Sequence, residues 1–329
     1  MGKQSSLTGS RLYCSIQTYK DEVFFSLWII ATHVLLAKTP NKIIEFYESF
    51  KNRDDLIEWM KERPKSVANI YEVDGDKEIV VVIPTADFKG KYAKECRENI
   101  FKGLHIVFVE SGGREDFYFN YAHNCNVGIK KAMEYGPKWI VVSNDDMEKI
   151  DDISLLVEEL GKDNFSETMT VYTSHSDYHF VGKERAALYK VASFLAYLFK
   201  GSLITHKILY TIRKRYGHPI RGYKKFPFIG LLFENYTVYR LSWDFAIFSS
   251  LFVKSRNGVL YDETFINGIE DYDVFSEIYR TGKFSEINFK IASIGAASFG
   301  HSLQRTLRES AGFIYFDEKR KGLQDWSQG

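Results

Sequence analysis

Three short β-branched runs limit what this chain can fold into. They are Ile79 to Ile83, Leu104 to Val109 and Trp139 to Val142, each almost continuously apolar. A strand with one face in water alternates apolar and polar residues, whereas a strand buried on both faces does not. A helical stretch separates each pair of runs, Lys91 to Lys102 and then Phe117 to Tyr135. The resulting β-α-β-α-β pattern with short connections predicts an α/β fold, a mostly parallel sheet flanked by helices. Ligands of such sheets bind outside the carboxyl ends of the strands. The residues that follow each run are therefore where chemistry is expected.

Those residues are polar. The first run ends in Pro84-Thr85 and then Asp87, the second in Glu110-Ser111-Gly112-Gly113, the third in Ser143-Asn144-Asp145-Asp146. Paired glycines after a strand permit close backbone approach to a ligand, or serve only as a turn. Two adjacent carboxylates and an amide form an oxygen-rich cluster of the kind that Mg²⁺ or Mn²⁺ shares with phosphate oxygens. The competing reading is a polar turn in which Asp145 or Asp146 caps a helix starting near Asp151.

Further along, Asp151 or Asp152 is expected to cap a helix through Leu160, and Thr168 to Thr173 to form a strand. Strands are also expected at Tyr236 to Leu241, Ala246 to Val253 and Ile287 to Ile294, with a turn at Arg256-Asn257-Gly258. Glu270, Asp271 and Asp273 open a helix running through Tyr279. Acidic residues there interact favourably with the helix dipole. A carboxylate fixed at a helix start can equally serve as a general base.

Residues 1–77 read as a helical extension with no chemistry of its own. Candidate helices cover Val23 to Lys38, a stretch beginning at Thr39-Pro40, and one that starts at Asn52 and stops before Pro64. Val23 to Ala37 is apolar but shorter than the roughly 20 residues of a spanning helix. It also follows Asp21 and Glu22, the wrong flank for a signal peptide. Residues 176–225 interrupt the α/β pattern. Ala186 to Ile212 is apolar and aromatic, and Arg213, Lys214, Arg215, Arg221, Lys224 and Lys225 follow it. That arrangement fits a core-packed helix with a solvated basic end, or peripheral contact of 186–225 with an anionic membrane surface. The tail, 303–329, is polar with helical character.

Composition narrows the class. A hydrophobic fraction of 45% with 26% charged residues is ordinary for a globular protein. A formal charge of +1 gives no general attraction to nucleic acid, and with no nucleic-acid motif present none is expected as a partner. The three cysteines, Cys14, Cys96 and Cys125, are widely spaced and odd in number. They point to a reducing compartment, hence a cytoplasmic location, with the inner face of the membrane as the alternative suggested by 186–225.

Taken in order, several of these pieces resemble glycosyltransferase family 2, nucleotide-sugar-dependent enzymes of the GT-A fold. Val81-Val82-Ile83-Pro84-Thr85 looks like that family's first strand, and Val107 to Gly112 like its second. Asn126-Val127-Gly128-Ile129 is similar to its Asn-x-Gly helix start. Val142-Ser143-Asn144-Asp145-Asp146 resembles its DxD region. Asp262-Glu263-Thr264-Phe265 followed by Glu270-Asp271-Tyr272-Asp273 looks like its acceptor-side signature, and His301, thirty residues after Asp271, sits where many members place a metal-binding histidine. The resemblance covers residues 78–302, apart from most of the 176–225 insertion. It implies an inverting transfer from a nucleotide-diphosphate sugar, most often a uridine one, to a hydroxyl of a glycan or lipid-linked acceptor. Thr85, Asp87, Glu110, Asn144 and Asp145 would then hold the nucleotide, Asp146 and His301 would bind Mg²⁺ or Mn²⁺, and Asp271 or Glu270 would be the base. The chain departs from the family pattern at Ala86-Asp87, at Glu110 and at Asn144, where the family carries Tyr-Asn, an aspartate and the first DxD aspartate. Asn144 supplies no charge and favours the alternative reading, a catalytically silent GT-A domain that binds a nucleotide or glycan or acts as a scaffold. A sugar nucleotidyltransferase would instead resemble its class in a glycine-rich, arginine-containing loop where Ala86-Asp87-Phe88-Lys89-Gly90 stands.

Overall fold

The computed structural model describes residues 52–111, 118–162, 165, 167–173, 177–182 and 236–294, with positions 46, 49, 50, 308, 311, 312, 314–316, 318 and 319 besides. The chain divides into two compact units, one of Phe50–His179 with Val238–Gly329, the other of Met1–Ser49 with Phe180–Thr237. The first unit holds almost all the described residues. The candidate helices at Val23 and Thr39 and the 186–225 segment lie outside the described residues, except for scattered positions near Phe46. Among the described residues no helix is long and apolar enough to cross a membrane.

Helix α1, Arg53–Glu62, begins where the sequence signals it: the Asn52 side chain accepts the Asp55 N–H. It buries Leu56, Ile57 and Met60 along one face. Among the described residues the helical expectation for 1–77 does not hold beyond α1. Ala68–Val73 is a strand, β1, mostly exposed and of mixed polarity. The first long strand, β2 (Asp76–Thr85), is buried from Ile79 onward. Helix α2, Lys91–Glu95, widens into a π turn over Cys96–Ile100 and leads to β3, Leu104–Ser111. Helix α3, Tyr121–Met133, is capped by Asn120, and the fully buried β4, Trp139–Ser143, follows. After the short β5, Met147–Lys149, Asp152 caps α4, Ile153–Leu160. Asp152 therefore fills the role that the competing reading gave to Asp145 or Asp146.

Strands β6, Thr170–Tyr172, β7, Asp177–Gly182, and β8, Tyr236–Leu241, come next. Strand β8 is present as expected but stands outside the main sheet. The strand expected over Ala246 to Val253 is β9, Phe245–Ser249, and it stops early. Ser249 accepts the Phe252 N–H and caps a helix, α5, Ser250–Ser255, because a serine hydroxyl supplies an acceptor that the strand continuation lacks. The predicted turn closes this helix, with Asn257 and Gly258 both at positive φ. Helix α6 is Glu270–Thr281. Of the strand expected over Ile287 to Ile294 only β11, Ile291–Ser293, forms, and a separate short strand, β10, Phe284–Glu286, precedes the expected range.

The main sheet has the order β1-β3-β2-β4-β9-β6-β10. Strands β2, β3, β4, β6 and β10 run one way, while β1 and β9 run against them. The result is a mixed, mostly parallel sheet of Rossmann-like character flanked by helices. One face carries Val81, Ile83, Ile106, Phe108, Val141 and Ile247 into a core with Phe101, Leu156, Phe245 and Phe289. On the other face α3 lies so close that a Cβ at Gly128 would sit 2.4 Å from Val82 Cγ1 and 2.8 Å from Val109 Cγ2. The tail joins the same unit, with Arg308, Ala311 and Phe316 buried.

Candidate functional site

The parallel register decides which strand ends meet. Thr85 pairs with Glu110 across β2 and β3, and Val82 with Val142 across β2 and β4, so the polar residues after all three strands share one rim. The antiparallel β9 begins on that rim. Ser143 pairs with Phe245, so the next residues outward are Asn144 and Asp244. The Asn144 N–H donates to Asp244 O at 2.8 Å, and Asn144 Nδ2 donates to Asp244 Oδ1 at 2.9 Å. Asn144 Oδ1 accepts the Tyr121 hydroxyl from the first turn of α3 at 3.0 Å. The amide is used from both ends.

Asp145 points into the protein. Its Oδ2 accepts the Thr85 hydroxyl at 2.7 Å, its backbone carbonyl accepts the Cys96 thiol at 3.3 Å, and both Asp145 and Thr85 are buried. The pair ties the end of β2 to the end of β4. Burial, then the Asp145 charge, pushes the Cys96 thiol far above its ordinary range. Glu110 is half-buried, and its Oε2 accepts the Phe88 N–H at 2.7 Å, which pins the loop leaving β2. Asp87 lies in that loop and is exposed, its Oδ1 accepting the Lys89 N–H at 2.9 Å. Asp146 is buried, and its carbonyl accepts the Ile294 N–H at 2.9 Å, next to the β5–β11 ribbon.

The second cluster comes from α3 and the segment before α6. Asn126 works as a clamp. Its Oδ1 accepts the N–H groups of Leu260 and Tyr261 at 3.0 Å each, and its Nδ2 donates to Tyr261 O at 2.8 Å and Glu263 Oε1 at 3.0 Å. Asn120 Nδ2 donates to Glu263 O at 2.8 Å, and His123 Nδ1 lies 3.0 Å from Glu263 Oε2. Burial alone would raise the Glu263 carboxyl, but the hydrogen bonds of His123 and Asn126, with the His123 and Lys65 charges, outweigh it and hold it at about 2.

Glu270 and Asp271, in the first turn of α6, are both buried. Burial, reinforced by the charges of Glu270 and Asp244, lifts the proton affinity of Asp271 well above the usual carboxylate range. The Tyr121 phenol is lifted too, by burial first and then by Cys125, Asp271 and their neighbours. The Asp244 charge acts on Asp271 and the Asp271 charge on Tyr121, so the Asn144 corner and the Glu270-Asp271 pair, more than a hundred residues apart in sequence, feel each other's charge.

Nine residues carry the sequence expectation. Thr85, Glu110, Asn144, Asp145 and Asp146 lie at the carboxyl ends of β2, β3 and β4, and Asp87 follows in the adjoining loop. Glu270 and Asp271 are buried in the first turn of α6, where Asp271 feels the charge of Asp244. His301 lies outside the described residues. Among the described residues no group of three or more His, Cys, Asp or Glu side chains is placed to hold a metal ion. Asp146 by itself offers one hard oxygen ligand, which suits an ion that takes most of its ligands from phosphate and water.

Tyr121, Asp244 and Asn126 carry more of the site than the sequence reading assigned them. Asp244 is a single carboxylate just before an apolar run, and only the antiparallel direction of β9, which the sequence does not announce, puts it on the ligand-binding rim. Comparison with protein-family models, curated proteins and solved structures finds no match to this chain.

Proposed function

We propose that the chain is an inverting glycosyltransferase of the GT-A kind, moving a sugar from a nucleotide-diphosphate donor, a UDP-sugar by the motif resemblance, to an acceptor hydroxyl. The observation that carries this reading is the Asn144–Asp146 strand end, where Asn144 is hydrogen-bonded to Asp244 and Tyr121, together with the buried Glu270-Asp271 pair whose charges act on those same two residues. A donor held over the strand ends would present its anomeric carbon towards α6. Asp271 takes the proton of the acceptor hydroxyl, and the hydroxyl oxygen bonds to the anomeric carbon from the face opposite the diphosphate. The bond from that carbon to the diphosphate oxygen breaks, and the nucleoside diphosphate leaves with its electron pair. A carboxylate with raised proton affinity is a stronger proton acceptor once ionised than an exposed one. Glu270 is the adjacent charge that helps keep that affinity high.

The diphosphate side of the proposal rests on Asp146, with His301 by resemblance. They would hold Mg²⁺ or Mn²⁺, which offsets charge on the leaving diphosphate. Asp87 and Glu110 stand beside the same strand ends and are the rim groups available to base and ribose, whereas Thr85 and Asp145 act through each other as a strut.

A second reading has its own observation. Asn144 is an amide whose two ends are taken by Asp244 and Tyr121, so this position adds no charge for a metal. That suits a domain that binds a nucleotide or glycan without turnover. Thermal stability against a panel of nucleoside diphosphates and their sugars, with and without Mn²⁺, separates the two when combined with a transfer assay. A ligand at about 100 times its dissociation constant adds roughly 2.7 kcal/mol. A nucleotide-specific shift accompanied by transfer supports the enzyme, and a shift without transfer in any donor–acceptor pair supports the silent domain. No shift with any nucleotide, in folded protein, removes both.

A further inference from the structure

The segment Asp262–Asp271 delivers the Glu270-Asp271 pair to the rim, and its last turn is strained. Gly268 has φ 103° and Ile269 has φ 79°. A β-branched residue rarely occupies the left-handed region, and such a conformation persists only where its surroundings over-determine it. Ile269 immediately precedes the pair, so the geometry of this turn sets where both carboxylates point.

The C-terminal tail supplies those surroundings. Gly312 approaches so closely that a Cβ there would lie 2.9 Å from Gly268 O and 3.1 Å from Ile269 Cγ1. Lys319 Nζ lies 2.7 Å from Asp262 Oδ2 and 2.7 Å from Asp273 Oδ2, bridging the start of the segment to the first turn of α6. The Tyr315 hydroxyl donates to the same Asp262 Oδ2 at 2.9 Å, and its ring meets Phe265 edge-on at 5.0 Å. Phe316 packs edge-on against Tyr272, the residue after Asp271, at 6.4 Å. Asp262 Oδ1 accepts the Thr264 N–H at 2.9 Å, so one carboxylate both shapes the turn and anchors the tail.

The charges agree with this arrangement. Burial would raise the Asp262 carboxyl, yet Lys319 holds it below its ordinary value, and the Lys319 ammonium is in turn held charged by Asp273 and Asp262 against its own burial. Without that ammonium, Asp262 and Asp273 would face each other as like charges across the strained turn.

We propose that Gly312, Tyr315, Phe316 and Lys319 of the tail form a clasp that fixes the Gly268-Ile269 turn, and that Lys319 is a positioning residue acting through Asp262 and Asp273 to aim Asp271. The catalytic half of this rests on the transferase reading; the clasp itself does not. The test uses the full chain with Lys319→Met, Lys319→Arg and Tyr315→Phe, read by amide hydrogen exchange and by transfer kinetics. Lys319→Met is expected to raise exchange over 262–273 while leaving β2 to β4 protected. It should lower kcat by about 10- to 100-fold at little change in KM for the donor, the scale of a small misplacement of a reacting group. Lys319→Arg, which can still span both carboxylates, is expected to restore most of the kcat and protection, and Tyr315→Phe to give a smaller change in the same direction. Wild-type exchange over 262–273 in Lys319→Met overturns the clasp. A loss of kcat that Lys319→Arg does not rescue overturns the positioning role. If the wild type transfers no sugar, the transferase reading falls and Lys319 loses its part in catalysis, while the exchange comparison still decides the clasp.

Discussion

Asn144 shows how one atom can set what a residue does. Its amide donates to Asp244 and accepts from Tyr121, and a carboxylate there would lose the donor and confront Asp244 instead. Asn144→Asp is therefore expected to destabilise the protein by about 1–3 kcal/mol at neutral pH, measured by urea unfolding. The loss should shrink as the pH falls and the introduced carboxylate protonates. Asp271 has the opposite balance. Its folded proton affinity lies well above the ordinary value of 3.8, so its contribution to stability is complete below that value and is lost as pH rises through the folded pKa. Asp271→Asn should accordingly raise the melting temperature at neutral pH while lowering transfer about 10²- to 10⁴-fold. In the wild type the acid limb of the rate profile should lie above the ordinary carboxylate range, because the base works only when ionised. Glu263 has the reverse sign. Its stabilising contribution is present above about 4.5 and lost as pH falls towards about 2, so Glu263→Gln should flatten the acid loss of stability in that window.

Helices and strands followed their sequence signals wherever burial on both sides made the pattern unambiguous. β2, β3 and β4 carry continuous apolar runs, and α1, α3 and α4 each begin at a side-chain cap that the sequence contains. β1 was not legible, because Ala68-Asn69-Ile70-Tyr71-Glu72-Val73 has no clean alternation and stands at the sheet edge. Its strand conformation comes from backbone pairing with β3, which no side-chain pattern announces. The end of β9 departs from its sequence pattern for a related reason. Val253 continues the apolar run, but Ser249 supplies a cap and the chain turns helical. Helix α3 depends on Gly128 for its distance from the sheet. Gly128→Ala would drive a methyl group into Val82 and Val109, neither able to move in a fully packed core, and should cost about 1–3 kcal/mol, measured by denaturant melts.

At the scale of the whole molecule the tail changes most between sequence and structure. Read alone, 303–329 is a polar segment beyond the last strand. In the folded chain it buries Ala311 and Phe316 and joins the start of the segment before α6 to the first turn of α6. A chain lacking residues 303–329 should melt at a lower temperature than the full protein, since burying a side chain such as Phe316 contributes roughly 1.5–3 kcal/mol. If its melting temperature is unchanged, the tail's packing adds nothing to stability.

The sequence by itself determined the parallel half of the sheet, the rim on which its polar strand ends gather, and the acidic first turn of α6. These follow from periodicity and capping, which are local and survive in a one-dimensional string. Only the tertiary structure decided that Asp244 meets Asn144, that Asn126 clamps the segment at Leu260, Tyr261 and Glu263, and that Lys319 joins Asp262 to Asp273. Those contacts depend on the direction of β9 and on the path of the tail. Both are fixed by burying apolar surface across the whole unit, a sum over residues far apart in the chain that no short stretch contains.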